Sequence, residues 1–281
     1  MKSPKRVTLR AAWFGQALRA LREDAKLTVR QLGEGIARDG ATISRVESGT
    51  QPVSQEILDG YFRHCGVKGA RDRANLEAIR ADVAQKGWWE RYQRDVASTL
   101  MDRAWLESKA MTISSFDIAY LPGLLQLPDY AESLMRRLDG HVPERRLQSW
   151  IEMRSERQRV LAKHRAVKLN SIIDEQLLRR RTGGDHIMRD QLDFLVEASE
   201  RPNVTIRVLP ADMCIGVSGS FEIFTLHEPY PRVGYVATAA GDICVEDDSV
   251  DELADEYARL EEICLPVDES IKLMVAERDA L

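Results

Sequence analysis

The stretch LTVRQLGEGIARDGATISRVESG, from Leu27 to Gly49, decides how the N-terminal part of the chain folds. Thr28 is placed to cap a helix through its side-chain oxygen, and Gln31, three residues later, is placed to reach back to the cap. Asp39 is the next strong cap residue, and Gly49 suits the left-handed end of a second helix. Two helix starts this close together predict two short helices joined by a sharp turn.

The second helix is predicted to bury one face and to expose the other. Ile43 and Val46 are three residues apart and fall on one side. The opposite face carries small, polar or basic residues, namely Gly40, Ala41, Ser44, Arg45 and Ser48. Such a helix suits the DNA major groove, where arginine pairs with guanine and a methyl group contacts thymine. Periodicity alone leaves an ordinary helical hairpin within a core as the alternative.

The same stretch resembles the repressor-type (XRE-like) helix-turn-helix family of phage and bacterial regulators. The second helix of that family typically ends in Ser-Arg-Ile-Glu-x-Gly, and residues 44–49 here read Ser-Arg-Val-Glu-Ser-Gly. The family pairs the glutamate of this motif with an arginine of the first helix, which implies a structural brace between Arg22 and Glu47. We expect this brace to be partly exposed and to contribute about 1 kcal/mol. The chain departs from the family at Gly40 and Ala41, where polar base readers are common.

The resemblance implies major-groove reading of double-stranded DNA by a homodimer. Ser44 and Arg45 are the expected base readers, with Ala41 against a thymine methyl. Phosphate contacts position a protein without specifying sequence, and the candidates for them are Thr28, Arg30, Thr42, Ser48 and Thr50. Gly33 falls where the family needs a small residue for close packing. Gly35, which costs a helix roughly 1 kcal/mol against alanine, has no explanation in the sequence.

Composition describes an ordinary soluble protein of two domains, with 281 residues, 44 % hydrophobic and 30 % charged. Residues 1–80 contain 15 Lys and Arg against 9 Asp and Glu, whereas the whole chain has a net charge of -5. The basic end is therefore the expected nucleic-acid end. Four widely spaced cysteines, without a signal peptide or a long apolar run, predict a reduced cytoplasmic protein with no membrane span.

From Trp105 onward the chain resembles a second family. The similarity includes the motif Pro-Gly-Leu-Leu-Gln at residues 122–126, although Leu127 replaces the threonine that normally follows. It resembles the C-terminal domain of unknown function found behind helix-turn-helix domains in actinobacterial regulators, including WhiJ-like and antitoxin-like regulators. Because such members are often encoded beside a small acidic protein, the resemblance suggests a partner of that kind. The segments that carry it are residues 105–137, 154–180, 187–210 and 219–226.

Hydrophobic periodicity predicts an α+β protein. We expect an all-α helix-turn-helix bundle at residues 1–70, a helical linker and possible dimerisation region at 71–110, and a mixed α/β sensor or partner-binding domain at 111–281. The C-terminal sheet should have about four to five strands, because a helix between two strands indicates a crossover. The predicted strands are 168–174, 204–209, 221–226, 233–237 and 243–245, and the predicted helices are 185–200, 249–264 and 268–278.

Residues with the spacing of a catalytic or metal site are not evident. The five histidines show no metal-ligand spacing, and no phosphate-binding loop or nucleophile motif is present. We therefore expect no enzyme activity, no metal and no cofactor. The leading hypothesis is a transcriptional regulator whose C-terminal domain dimerises and senses a partner protein or an unidentified small-molecule ligand. Two alternatives are an antitoxin-like interaction protein that uses DNA binding for autoregulation, and an unrecognised enzyme in residues 105–281.

Overall fold

The computed structural model describes residues 7–162, 166–213, 219–238 and 241–281. It divides the chain into two compact units, Met1–Glu90 and Arg91–Leu281. One of the five histidines, His164, and one of the four cysteines, Cys214, lie outside the described residues.

The first unit is built from short helices around a small apolar core. Phe14, Leu18, Leu32, Ile43 and Leu58 are at most 2 % exposed and form the centre of that core. The helices are α1 (Leu9–Asp24), α2 (Val29–Gly35), α3 (Gly40–Glu47), α4 (Gln55–His64) and α5 (Ala70–Ala84). A 3-10 helix at Trp88–Tyr92 includes the last residues of this unit and the first of the next.

The second unit is a mixed sheet flanked by helices. Its helices are α6 (Ser98–Lys109), α7 (Pro128–Leu138), α8 (Glu144–Gln158), α9 (Gln176–Arg179), α10 (Asp185–Ser199), α11 (Asp248–Ile263) and α12 (Val267–Asp279), with 3-10 helices at Gly123–Leu125 and Arg159–Leu161. Its strands are β1 (Ala110–Asp117), β2 (Lys168–Asp174), β3 (Val204–Leu209), β4 (Phe221–Leu226), β5 (Val233–Val236) and β6 (Ile243–Val245).

The described strands form a six-stranded sheet in the order β3-β2-β1-β4-β5-β6. Strands β1, β2 and β3 are parallel, and β1 meets β4 in antiparallel register. Strands β5 and β6 continue the antiparallel half. Helix α10 connects β2 to the parallel strand β3, which is the predicted crossover. On one side of the sheet, Phe116, Ile172 and Phe221 pack with Tyr257 and Leu260 of α11.

The α+β fold class is confirmed, and the structure adds one strand that the sequence analysis did not predict. This strand, β1, lies at the centre of the sheet, although it contains two adjacent polar residues, Ser114 and Ser115. Ser115 and Ser171 are each 1 % exposed, and their hydroxyl oxygens are 3.0 Å apart. The strand was missed because a hydrogen bond between neighbouring strands, rather than apolar alternation, satisfies its buried centre.

The predicted linker at 71–110 is divided between the two units. Helix α5 lies in the first unit, with Leu76 and Ile79 buried, and α6 lies in the second and leads directly into β1. Dimerisation through this region stays a prediction.

Candidate nucleic-acid interface

The turn between α2 and α3 is formed by local hydrogen bonds and close backbone packing. Thr28 Oγ1 accepts the Gln31 amide at 3.2 Å, and Gln31 Oε1 accepts the Thr28 amide at 2.9 Å, which is the predicted capping box. Ala37 then adopts a φ of 54°. A Cβ on Gly33 would lie 2.7 Å from the Arg38 carbonyl oxygen. The turn therefore requires a residue without a side chain at position 33.

Helix α3 begins and ends as predicted. Asp39 Oδ1 accepts the Thr42 amide at 2.5 Å, and hydrogen bonding to Thr42 lowers the pKa of Asp39. Gly49 has a φ of 71°, in the left-handed region. The Ser48 and Thr50 hydroxyls both donate to the Arg45 carbonyl oxygen at 3.1 Å. These hydroxyls thus satisfy a helix-end carbonyl.

A buried ion pair connects α1 to the end of α3. Arg22 Nε lies 2.7 Å from Glu47 Oε1, and Arg22 Nη2 lies 2.8 Å from Glu47 Oε2. Arg22 Nη1 also donates to the Leu27 carbonyl at 2.8 Å, and the Tyr61 hydroxyl donates to Glu47 Oε1 at 3.0 Å. The Glu47 hydrogen bond raises the pKa of Arg22, and burial raises the pKa of Tyr61.

The predicted pairing of Arg22 with Glu47 is present, but the expected partial exposure is wrong. Their side chains are only 9 % and 6 % exposed. Removing one partner would leave the other buried and unpaired, which costs about 3–5 kcal/mol rather than the expected 1. No sequence pattern indicated that the Tyr61 hydroxyl completes this network.

The outward face of α3 is open, unlike a hairpin enclosed in a core. Ala41, Ser44 and Arg45 are all exposed. Arg45 Nε donates to Gln51 Oε1, and Arg45 Nη2 donates to Thr42 Oγ1, both at 3.0 Å. Because both acceptors are neutral, they orient the guanidinium without forming an ion pair that would offset its positive charge. Gln51 was not predicted, since it lies beyond the end of the helical pattern.

The candidate phosphate contacts lie at the surface in and beside these two helices. Thr28, Arg30, Ser48 and Thr50 are exposed, and Thr42 is half-buried. The Arg30 side chain is 85 % exposed and meets Glu34 at 2.8 Å. An ion pair this exposed is weak and is readily exchanged for a phosphate. The roles of all five residues in DNA binding stay predictions.

Two glycines of the first unit differ in what a side chain would meet. A Cβ on Gly35 would lie 2.9 Å from the ring of His64, but His64 is exposed and free to move aside, so this contact does not explain the glycine. A Cβ on Gly15 would lie 2.3 Å from the Glu47 carbonyl oxygen. Helix α1 therefore approaches the end of α3 at a distance that only glycine permits, and the sequence analysis did not identify this position.

The second unit holds a cleft with titratable groups that the sequence did not predict. Asp117, Glu222 and Asp242 surround Arg103, which forms an ion pair with Glu222 and lies 3.9 Å from Asp242. Burial, followed by the charge of Glu222, raises the pKa of Asp117 to about 8. The cleft has a volume of about 30 Å³. This volume has room for roughly two water molecules.

Two further properties concern only the described part of the chain. Within it, no group of three or more His, Cys, Asp or Glu residues is arranged to hold a metal ion. None of its helices combines the length and apolar character needed to cross a lipid bilayer. The expectation that the chain is not an enzyme stays a prediction.

Two family models match the chain, one in each unit. Residues 13–76 match the family model described as a helix-turn-helix domain. Residues 100–275 match the model described as a domain of unknown function, DUF5753. No curated protein and no solved structure matches the chain. The helix-turn-helix match covers the braced and exposed helix α3, and it indicates DNA as a binding partner.

Proposed function

Because the chain belongs to the DUF5753 family and carries a helix-turn-helix domain, we propose that it is a sequence-specific DNA-binding transcriptional regulator. The observation that carries this proposal is the exposed face of α3, held in place by the buried Arg22–Glu47–Tyr61 network. A recognition helix must keep its orientation while its polar face stays free for DNA. The network supplies the first condition and the exposed face supplies the second.

In this proposal Arg45 and Ser44 read base edges, and Ala41 contacts a thymine methyl. Gln51 holds the Arg45 guanidinium, so it orients the main base reader. The hydroxyls of Thr28, Thr42, Ser48 and Thr50, with the guanidinium of Arg30, contact phosphates on either side.

The finer parts of the proposal are supported by the resemblance of residues 44–49 and 122–126 to known regulators. We propose that the protein belongs to the repressor-type, XRE-like group of actinobacterial regulators and binds two half-sites as a homodimer. We also propose that the second unit senses a partner protein or a ligand. An antitoxin-like protein that mainly binds a small neighbour-encoded partner is the other candidate.

The proposal is tested by measuring binding of the full chain to the DNA upstream of its own gene, across a salt titration. Arg45→Ala should lose about 1–3 kcal/mol of discrimination against a random fragment. Arg19→Ala is the matched control, because it removes one charge from an exposed position on α1. It should keep the discrimination of the unmodified protein.

One outcome would contradict the proposed regulator function, and a second would favour the antitoxin-like candidate. If the protein enriches no sequence from a random DNA library, it is not a sequence-specific regulator. If the Arg45→Ala protein loses operator binding but still co-purifies with a small partner protein, DNA binding and partner binding depend on different parts of the protein. The antitoxin-like candidate then gains support.

A further inference from the structure

A cavity of about 240 Å³ lies in the second unit, among α6, α7 and α8. Its volume approaches the lower end of the roughly 300–1,000 Å³ range that is typical of ligand pockets. The cavity is lined by both apolar and cationic side chains. The apolar ones are Leu100, Met135 and Trp150, and the cationic ones are Arg146, Arg154 and Arg157.

Arg157 is the one cation of the three whose charge is balanced by a buried carboxylate. Its Nε lies 2.9 Å from Glu107 Oε2, and its Nη2 lies 2.5 Å from Glu107 Oε1. The two side chains are 2 % and 1 % exposed. Arg157 therefore forms part of the cavity wall, with little charge left for a ligand.

Arg154 has no such balance. It donates to the neutral Gln126 side-chain oxygen, and its Nε is buried without a hydrogen-bond partner. Among the described residues, none places a carboxylate within 4.0 Å of its guanidinium. Burial, followed by the like charges of Arg157 and Arg103, lowers the pKa of Arg154. Arg154 is half-buried, and a guanidinium with a buried, unpartnered Nε near two like charges is stabilised by an anion.

Arg146 and Trp150 form a fixed platform at the same cavity. The Arg146 guanidinium lies 4.9 Å from the centre of the Trp150 ring. Arg146 Nε and Trp150 Nε1 both donate to the Asp95 carbonyl oxygen, at 3.0 and 2.8 Å. The cation is thus held over the ring before any ligand arrives, which reduces the entropic cost of binding.

The Pro-Gly-Leu-Leu-Gln motif of residues 122–126 lies against Arg154 and Arg157. A Cβ on Gly123 would be 3.4 Å from Arg154 Nη1 and 3.5 Å from Arg157 Nη2. Gln126 accepts from Arg154 and donates to the Leu121 carbonyl at 2.6 Å. The motif therefore orients the Arg154 guanidinium, a role that the proposed DNA binding does not require.

We propose that this cavity binds a small organic anion. The oxyanion group is held by Arg154, with Arg146 beside it, and a compact aromatic or apolar body lies against Trp150, Met135 and Leu100. The proposal names the ligand class for the sensing role proposed above and rests on that role for its biological meaning.

Isothermal titration calorimetry of the full chain without DNA tests the proposal directly. The probes are benzoate and phenyl phosphate, which share an aromatic body, and benzyl alcohol, which has a similar size and no charge. Both anions should bind saturably, and benzyl alcohol should bind at least about tenfold more weakly. The tighter of the two anions identifies the preferred headgroup.

Arg154→Gln should weaken binding of the anions at least about tenfold. Arg145→Gln is the matched control, since Arg145 is next to Arg146 on α8 but its side chain is 80 % exposed and does not line the cavity. If Arg154→Gln fails to fold, Arg146→Gln provides the second test. Its side chain is exposed, and it should also weaken anion binding.

The proposal is overturned if neither anion binds up to about 5 mM, a concentration that would detect even millimolar affinity. It is also overturned if benzyl alcohol binds as well as the anions, or if folded Arg154→Gln and Arg146→Gln proteins bind like the unmodified protein. Because no DNA is present, these results are independent of whether the protein recognises an operator.

Discussion

Each unit of the molecule contains a buried arginine–glutamate pair, and the two pairs differ in their surroundings. In the first unit, the Arg22–Glu47 pair is completed by the Tyr61 hydroxyl and the Leu27 carbonyl. In the second, the Arg157–Glu107 pair has two further guanidinium groups near it, those of Arg103 and Arg154. The Nε atoms of both are buried without a hydrogen-bond partner.

The first network uses its hydrogen-bonding groups within the protein, whereas the second leaves arginine groups that a ligand can bind. The donors of Arg22 are used to hold helix α3, so the network around it can serve DNA binding only by positioning other residues. Arg146, Arg154 and Arg157 line the larger cavity, and of these three Glu107 is bonded to Arg157 alone. Buried polar groups without partners are expensive. Arg154 has such a group beside an open cavity, and the cavity therefore indicates where a ligand would stabilise the protein.

The largest expected effect is that of Glu107→Ala. It removes the only carboxylate bonded to Arg157 within the described residues and also one neighbour of Arg103. The free energy of unfolding of the second unit should fall by about 3–5 kcal/mol. Urea unfolding of the full chain measures this. The control Glu144→Ala removes a carboxylate that is 73 % exposed, and it should change stability by less than about 1 kcal/mol. Equal effects would show that the Glu107 pair contributes no more than a surface pair.

The next effect is that of Glu47→Ala, which should destabilise the first unit by about 3 kcal/mol, the lower end of the range for broken buried pairs. Its partner Arg22 is slightly less buried than Arg157 and retains the Leu27 carbonyl. The same unfolding experiment measures the loss, and binding to operator DNA should weaken with it. Glu56→Ala is the control, because Glu56 pairs with Arg38 at an exposed position. A stable Glu47→Ala protein with unchanged DNA affinity would remove the brace from the proposed mechanism.

A pH dependence should distinguish the second unit from the first. Since burial raises the pKa of Asp117 to about 8, the folded protein binds a proton that the unfolded chain releases above about pH 4. The free energy of unfolding should therefore fall as pH rises between these values, by at most about 1.4 kcal/mol per pH unit for one proton.

Asp117→Asn should remove this dependence, so that its stability relative to the unmodified protein increases from about pH 5 to pH 8. Asp129→Asn, at an exposed position on α7, is the matched control. Parallel pH profiles for the unmodified protein and Asp117→Asn would show that Asp117 is ionised in the folded state.

The smallest expected effect is that of Tyr61→Phe, which removes one hydrogen bond to Glu47 and leaves the Arg22 contacts in place. A loss of about 1 kcal/mol is expected. A double-mutant cycle isolates this contribution, because Tyr61→Phe should cost much less in a Glu47→Ala background. An undiminished cost in that background would mean that Tyr61 acts through packing alone.

The structure and the sequence analysis agree best where the decisive interactions are local. The predicted caps at Thr28 and Asp39 each involve an amide three residues later. The strands at 168–174 and 204–209 show clear apolar patterns and were predicted with the observed bounds. Strand β1 was missed, since its buried residue Ser115 is satisfied by a hydrogen bond to a strand more than 50 residues away.

The sequence analysis predicted the residues of the candidate site better than the stability of the interactions that support them. Arg45, Ser44 and Ala41 lie on the exposed face where the pattern placed them. The support beneath them was underestimated, because the burial of Glu47 depends on α1 and α4 closing over it. Gln51 lies outside the helical period, so no sequence pattern connected it to Arg45.

The sequence by itself determined the two capped helices, the apolar faces of the bundle and most strands of the sheet, because capping and periodicity act between residues close in the chain. Only the tertiary structure decided that Arg22 and Glu47 are buried and that Ser115 lies at the centre of a sheet. It also decided that Arg146 and Arg154 share one cavity with Trp150. Burial and charge balance are sums over neighbours from distant segments, and those neighbours are known only once the chain has folded.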